Sequence, residues 1–97
     1  LTDERYPTQL AAASYGMDYA DLGIEAAEEA ALECLTLEII QRLNVFPWKK
    51  VGTTLYVAVT DREWPVGEVE ELVGMEVKAV LASPQAIQYR IAKHFAA

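Results

Sequence analysis

The chain has 97 residues, of which 53% are hydrophobic and 24% are charged, and this composition favours a packed core over disorder along most of the length. The length is that of one small domain. Because the formal charge of -7 repels phosphate backbones and anionic lipid headgroups, we expect no nucleic-acid partner.

Apolar runs and cysteine content bear on the location. The longest apolar stretches, such as 55–59, are far shorter than the roughly 20 residues that a membrane span needs, so we expect no direct membrane insertion. No signal-peptide pattern of basic start, apolar run and cleavage site is visible at the N-terminus. The single cysteine, Cys34, cannot form an intramolecular disulfide. These features predict a cytoplasmic location.

The first 22 residues predict an arm, a helix and an extended segment. Residues 1–8 are polar and contain a proline, so we expect a flexible N-terminal arm followed by a single domain over 9–97. The alanine-rich run 9–14 predicts a short helix that Gly16 ends. Alternation of polar and apolar residues over 17–22 predicts a brief extended segment or an edge strand.

Apolar residues recur at helical spacing from 24 to 44, opposite an acidic set. Thr36 interrupts this stretch with a side chain that favours the N-cap of a helix. We therefore favour two helices, near 24–34 and 37–43, over one continuous helix.

Two runs of β-branched and aromatic residues, 45–51 and 54–60, flank Gly52 and predict an antiparallel hairpin. Pro47 cannot donate a hydrogen bond to a neighbouring strand. The first of these strands is therefore expected at the edge of the sheet, or bulged or interrupted at Pro47.

The C-terminal third predicts a helix, a strand and a final helix. Apolar and acidic residues take opposite sides of an amphipathic helix over 66–73, which Gly74 caps, and 76–81 alternates as a strand. Ser83 and the proline after it are typical of a helix start. The stripe that docks this last helix is Ile87, Ile91 and Phe95.

This order of elements predicts an α+β fold. The arrangement that satisfies it best is a small two-layer domain, with a mostly antiparallel sheet of three to four strands and helices packed on one face.

The sequence offers little for catalysis. The five glycines are scattered singly, so there is no glycine-rich phosphate loop, and one cysteine with one histidine falls short of a structural zinc site. The pairs Glu28-Glu29 and Glu70-Glu71 diverge around a helix and predict solvated faces. We therefore expect no catalytic residue, no cofactor and no metal. A small enzyme with a Cys34–His94 nucleophile pair is the alternative, and it requires the fold to bring the two together.

Three large aromatic residues are the candidates for binding: Trp48, Tyr56 and Trp64. Such side chains are enriched at protein interfaces, although core packing is the role favoured for each. Any of the three that is exposed marks a partner-binding surface.

An ordered set of short motifs runs through nearly the whole chain, from about residue 10 to 95. The set comprises Leu10-Ala11, Tyr19-Ala20-Asp21-Leu22, Gln41-Arg42-Leu43-Asn44, Val45-Phe46-Pro47-Trp48, Gly52, Leu55-Tyr56-Val57-Ala58-Val59, Asp61, Gly74, Val80-Leu81-Ala82-Ser83 and Ile87. In this order it resembles the N-terminal domain of the type II secretion and type IV pilus assembly ATPases, the general secretory pathway protein E N-terminal domain family.

The chain departs from the family pattern at three positions that often hold proline, where it has Asp18, Thr36 and Arg62. The segment between Asp61 and Gly74 is also shortened relative to that pattern. These departures indicate a divergent member, or a domain borrowed into another architecture.

The resemblance implies a non-catalytic docking and regulatory domain. Its implied partner is the cytoplasmic domain of an inner-membrane platform protein, through which the protein would attach peripherally to the inner membrane. Its own ATPase domain, if one lies downstream, would be a second partner. The alternative is a small-nucleotide sensing domain, because some relatives bind cyclic di-GMP through a repeated Arg-Leu-Gly motif upstream of this segment. That motif is missing from the chain.

Overall fold

The computed structural model describes residues 5–22 and 27–95. In chain order the described residues form α1 (Arg5–Tyr15), α2 (Glu29–Leu32), α3 (Leu37–Leu43), β1 (Val45–Val51), β2 (Thr54–Val59), α4 (Val66–Val73), β3 (Glu76–Leu81) and α5 (Pro84–Phe95).

Helix α1 is longer than the sequence predicts, because it begins at Arg5. Pro7 was expected to lie in the arm, but it sits in the first turn, where backbone N–H groups have no intrahelical acceptor and a proline is tolerated. Residues 5–8 of the predicted arm therefore belong to the helix, while 1–4 lie outside the described residues. Gly16, with a φ of 70°, follows the end of the helix as predicted. The domain limits 9–97 stay a prediction.

The predicted extended segment after α1 lies along β3. Leu81 N–H donates to the Asp18 carbonyl at 2.7 Å, and Ala20 N–H donates to the Leu81 carbonyl at 2.9 Å. Tyr19 and Leu81 thereby form an isolated parallel bridge. The prediction of a brief extended segment is confirmed.

The prediction of two helices separated at Thr36 is confirmed, although the first is shorter than predicted, because residues 27–28 and 33–35 are not helical. The Thr36 hydroxyl accepts a hydrogen bond from Ile39 N–H at 3.3 Å and caps α3. Helix α2 has only four residues, and Glu28 before it is extended, with φ -77° and ψ 140°. Residues 24–26 of the predicted first helix lie outside the described residues. Asn44, in the left-handed region at φ 55°, ends α3 directly before β1.

Strands β1 and β2 form the predicted antiparallel hairpin. The register shifts between Pro47 and Lys49, which leaves Trp48 as the extra residue of a β-bulge. The strand order β1-β2-β3 places β1 at the edge of the sheet. The expectation of a bulged edge strand at Pro47 is therefore confirmed.

The sheet is mixed, whereas the sequence favoured a mostly antiparallel one. Strand β3 runs parallel to β2, from the pair Thr54–Glu76 to the pair Val59–Leu81. The reason is that α4 carries the chain back to the starting end of β2, which is what a parallel neighbour requires. Gly74, at φ 67°, ends α4 in the predicted left-handed conformation. The α+β class itself is confirmed.

The core lies around the C-terminal end of β2. Val57, Ala58 and Val59 are consecutive and all buried, so both faces of the sheet are covered there, whereas the sequence predicted helices on one face. Ser83 caps α5 as predicted, because its hydroxyl accepts from Ala86 N–H at 3.1 Å. The predicted stripe also holds: Ile87 and Ile91 are buried, and Phe95 is partly buried against the core.

Candidate functional site

One face of the sheet opens to solvent near the hairpin turn. Lys49 pairs with Tyr56, and Tyr56 pairs with Lys78, so three side chains form one row across β1, β2 and β3. In the next row along this face, the cross-strand partners Phe46, Ala58 and Val80 are all buried. The covering of this face therefore ends between these two rows.

Trp48 extends the open row. The Lys49 ammonium lies 4.3 Å from the centre of the Trp48 ring, a cation–π contact. Trp48, Lys49 and Tyr56 are partly buried, and Lys78 is exposed. We call the set Trp48, Lys49, Tyr56 and Lys78 the sheet-face patch. It combines two aromatic rings with two positive charges on a chain whose formal charge is -7.

The indole of Trp48 is held by packing and by the cation above it. Its Nε1 is buried and has no hydrogen-bond acceptor among residues 5–22 and 27–95. A buried N–H without an acceptor costs about 1–3 kcal/mol. Within the part of the chain that the structure describes, Trp48 therefore brings a buried N–H without an acceptor into the sheet-face patch.

The three predicted aromatic candidates do not form one cluster. The bulge puts Trp48 next to Lys49, which is the cross-strand partner of Tyr56. Trp64 lies in the connection between β2 and α4, where its carbonyl accepts from Val66 N–H at 2.8 Å. All three are partly buried against the core. Their role in partner binding stays a prediction.

Glu28 closes the outer edge of β1 at the bulge. Its N–H donates to the Trp48 carbonyl at 2.8 Å, and its carboxylate accepts from Lys50 N–H at 3.1 Å. These backbone groups of the edge strand are therefore unavailable to an added strand. At this end of the domain the sheet face, rather than the strand edge, is open to contact.

A second site is a cavity of about 210 Å³ between the last turns of α5, the α2 region and the start of β1. Its lining comprises Ala27, Leu32, Phe46, Arg90, Lys93 and His94. We call it the basic pocket, because the ionisable residues that line it within 5–22 and 27–95 are all of the basic types. Of these side chains, His94 is a candidate from the sequence only as half of the alternative nucleophile pair, and no pocket is predicted here.

A readable signal for the basic pocket does exist in the sequence. Arg90, Lys93 and His94 have the i, i+3, i+4 spacing that places side chains on one face of a helix. No comparable sequence pattern marks Lys78 as part of the sheet-face patch, because Lys78 lies beside Tyr56 only through the parallel pairing of β2 with β3.

The residues of the alternative nucleophile pair make separate contacts. Cys34 Sγ donates to the Ala30 carbonyl at 3.4 Å, whereas the His94 ring packs edge-on against Phe95 with 4.7 Å between ring centres. Among residues 5–22 and 27–95, no group of three or more His, Cys, Asp or Glu side chains is placed to hold a metal ion. No helix in the described part of the chain has the length and apolar character to cross a membrane.

These elements define a small α+β domain built on a three-stranded mixed sheet. Over residues 15–97 the chain matches the MshEN domain, and it belongs to that family, the N-terminal domains of type II secretion and type IV pilus ATPases. The resemblance seen in the sequence motifs is thereby confirmed. No curated protein matches the chain.

The fold is shared with several solved structures, and two of them illustrate the similarity. A structure of MshE with cdg superposes with a TM-score of 0.79 at 16% identity, over 96% of this chain and 69% of that one. The N-terminal domain of XpsE superposes with a TM-score of 0.73 at 16% identity, over 94% of this chain and 66% of that one. The chain thus spans about two thirds of each structure.

Proposed function

We propose that this domain is a non-catalytic docking and regulatory module of a type II secretion or type IV pilus ATPase. It binds the cytoplasmic domain of an inner-membrane platform protein, and this contact brings the ATPase to the cytoplasmic side of that membrane. Its own ATPase domain, where one follows, is a further partner. The observation that carries the proposal is the open sheet-face patch on a domain of this family.

The sheet-face patch has the composition of a docking surface. Aromatic rings give large contact area with little side-chain entropy to lose, and they are enriched where proteins bind one another. Lys49 and Lys78 flank Tyr56 and provide charges that steer an acidic partner and fix its orientation. We assign Trp48 and Tyr56 to the contact, and Trp64 to its margin or to a second contact.

Calorimetric titration with the platform protein's cytoplasmic domain tests the proposal. We expect the unmodified domain to bind, and Lys78→Glu to weaken the affinity by about fivefold, because it reverses a charge at the rim of the contact. Arg62→Glu is the matched control, since it changes the net charge equally at an exposed site after β2. A correctly folded domain that fails to bind at tens of micromolar would contradict the docking role. Equal weakening by both variants would contradict the assignment to the patch.

The second candidate is sensing of a small nucleotide. It is supported by the shared fold with MshE, whose structure contains cdg, which is cyclic di-GMP. A ligand that binds only the folded state stabilises it by about 2.7 kcal/mol at 100 times its Kd, which raises the Tm of a domain this size by about 11–22 °C. Thermal unfolding with cyclic di-GMP and other nucleotides checks this, and an unchanged Tm throughout removes the candidate.

A further inference from the structure

The basic pocket has an apolar floor and a positively charged wall. Phe46 is 1% exposed and Leu32 is 9% exposed, and both line the cavity with Ala27. The wall is one face of the last turns of α5. A group that fills this cavity needs an apolar part in contact with the floor and hydrogen-bond acceptors at the wall.

Arg90 is the side chain of the wall that the fold holds in place. It donates through Nε to the Leu22 carbonyl, and its guanidinium lies 5.3 Å from the centre of the Tyr89 ring. Lys93 and His94 are exposed, and Lys93 Nζ donates to the Tyr89 hydroxyl at 3.4 Å. His94 supplies a further ring N–H donor, because an imidazole carries at least one in either protonation state. Because Arg90 is already held, its side chain loses less entropy when a ligand binds.

Two properties separate the basic pocket from ordinary helix-end chemistry. Basic residues at a helix C-terminus stabilise the helix dipole, which accounts for Lys93 and His94 by themselves. That effect does not require a cavity of about 210 Å³ with Phe46 at its floor. Moreover, the chain has 8 Lys and Arg residues against 15 Asp and Glu, yet among the described residues the ionisable ones that line this cavity are Arg90, Lys93 and His94.

We propose that the basic pocket receives an acidic side chain of a protein partner, with an adjoining apolar side chain of the same segment in contact with Leu32 and Phe46. Charge complementarity selects the carboxylate, and the floor selects the apolar neighbour. The identity of the partner rests on the proposed docking function, so the basic pocket and the sheet-face patch would contact the same protein.

A peptide titration followed by NMR tests the pocket directly. The probe is a blocked tetrapeptide with two aspartates between two leucines, and its control carries asparagines in place of the aspartates. We expect the acidic peptide to shift the amide signals of Leu32, Phe46 and Lys93, and the control to shift them much less. Lys93→Glu should weaken the peptide's binding by about threefold, whereas Arg62→Glu should leave it unchanged.

Three results would overturn the proposal. The first is an absence of shifts around the basic pocket at millimolar acidic peptide. The second is an equal response to the asparagine peptide. The third is an equal response to acetate or inorganic phosphate alone, which would make the pocket a site for small anions.

Calorimetry with the platform protein's cytoplasmic domain separates this proposal from the docking function. Weaker binding by Lys93→Glu than by Arg62→Glu supports the pocket as a contact. If the platform domain binds but Lys93→Glu has no effect and the peptide does not bind, this inference alone fails. If the acidic peptide binds while the platform domain does not, the docking function fails and a different acidic partner occupies the pocket.

Discussion

Trp48 joins three properties at one residue: it is the extra residue of the β-bulge, it lies beneath the Lys49 ammonium, and its Nε1 is buried without an acceptor among the described residues. Bulges re-aim side chains and are over-represented at sheet edges and beside functional sites. The bulge therefore explains how the Trp48 indole on the edge strand β1 comes to lie next to Lys49, which is the cross-strand partner of Tyr56.

Trp48→Phe measures the cost of that buried N–H. The substitution loses part of the packing but also removes a buried polar group that has no acceptor among the described residues, so the two effects oppose each other. We expect the free energy of unfolding, from urea denaturation followed by circular dichroism, to change by less than about 1 kcal/mol. A loss larger than about 2 kcal/mol would show that the indole N–H has an acceptor.

At the scale of elements, the edge of β1 is the place where the fold controls access to its sheet. Glu28 supplies both a backbone donor to Trp48 and a carboxylate acceptor for Lys50 N–H, as a neighbouring strand would. Residues 27 and 28 thus extend beside β1 before α2 begins at Glu29. The domain thereby protects its outer strand from pairing with other chains.

Glu28→Ala tests this protection. The variant keeps the backbone bond to Trp48 but removes the acceptor of Lys50 N–H, so we expect that amide to exchange faster with solvent and the stability to fall by about 1 kcal/mol. Hydrogen exchange monitored by NMR gives the first quantity and chemical denaturation the second. Glu29→Ala, one residue further along, is the control. Unchanged exchange at Lys50 would mean that the carboxylate does not protect the edge.

Elements that depend on local signals were predictable from the sequence. The Thr36 cap, the hairpin around Gly52 and the helix end at Gly74 each follow from a residue whose conformational or hydrogen-bonding preference acts within a few positions. The start of α1 is an exception, because Pro7 predicts a loop from sequence, although a proline is tolerated in the first turn of a helix.

Features that depend on distant pairing were not predictable. The direction of β3 is decided by how α4 crosses over, which no residue of β3 encodes. The same holds for the candidate sites. Tyr56 could be singled out as an aromatic residue, but its neighbour Lys78 follows only from the parallel register. The basic pocket joins Ala27, Phe46 and Arg90 from three separate stretches of the chain.

At the scale of the whole molecule, an acidic domain presents basic side chains at the two proposed contact sites. The net charge of -7 makes most of the surface unattractive to acidic proteins, so the sheet-face patch and the basic pocket are local exceptions. Under the proposed docking function, these two sites would orient an acidic partner and give the docking its specificity.

The most direct test of docking is an NMR map of the isotopically labelled domain with the unlabelled cytoplasmic domain of the platform protein. We expect the largest shifts at the sheet-face patch, at Trp48, Lys49, Tyr56 and Lys78, with a second group around the basic pocket. Signals that do not move at saturating partner, or shifts confined to α1 on the exposed side chains of Tyr6 and Leu10, would contradict the proposed docking surface.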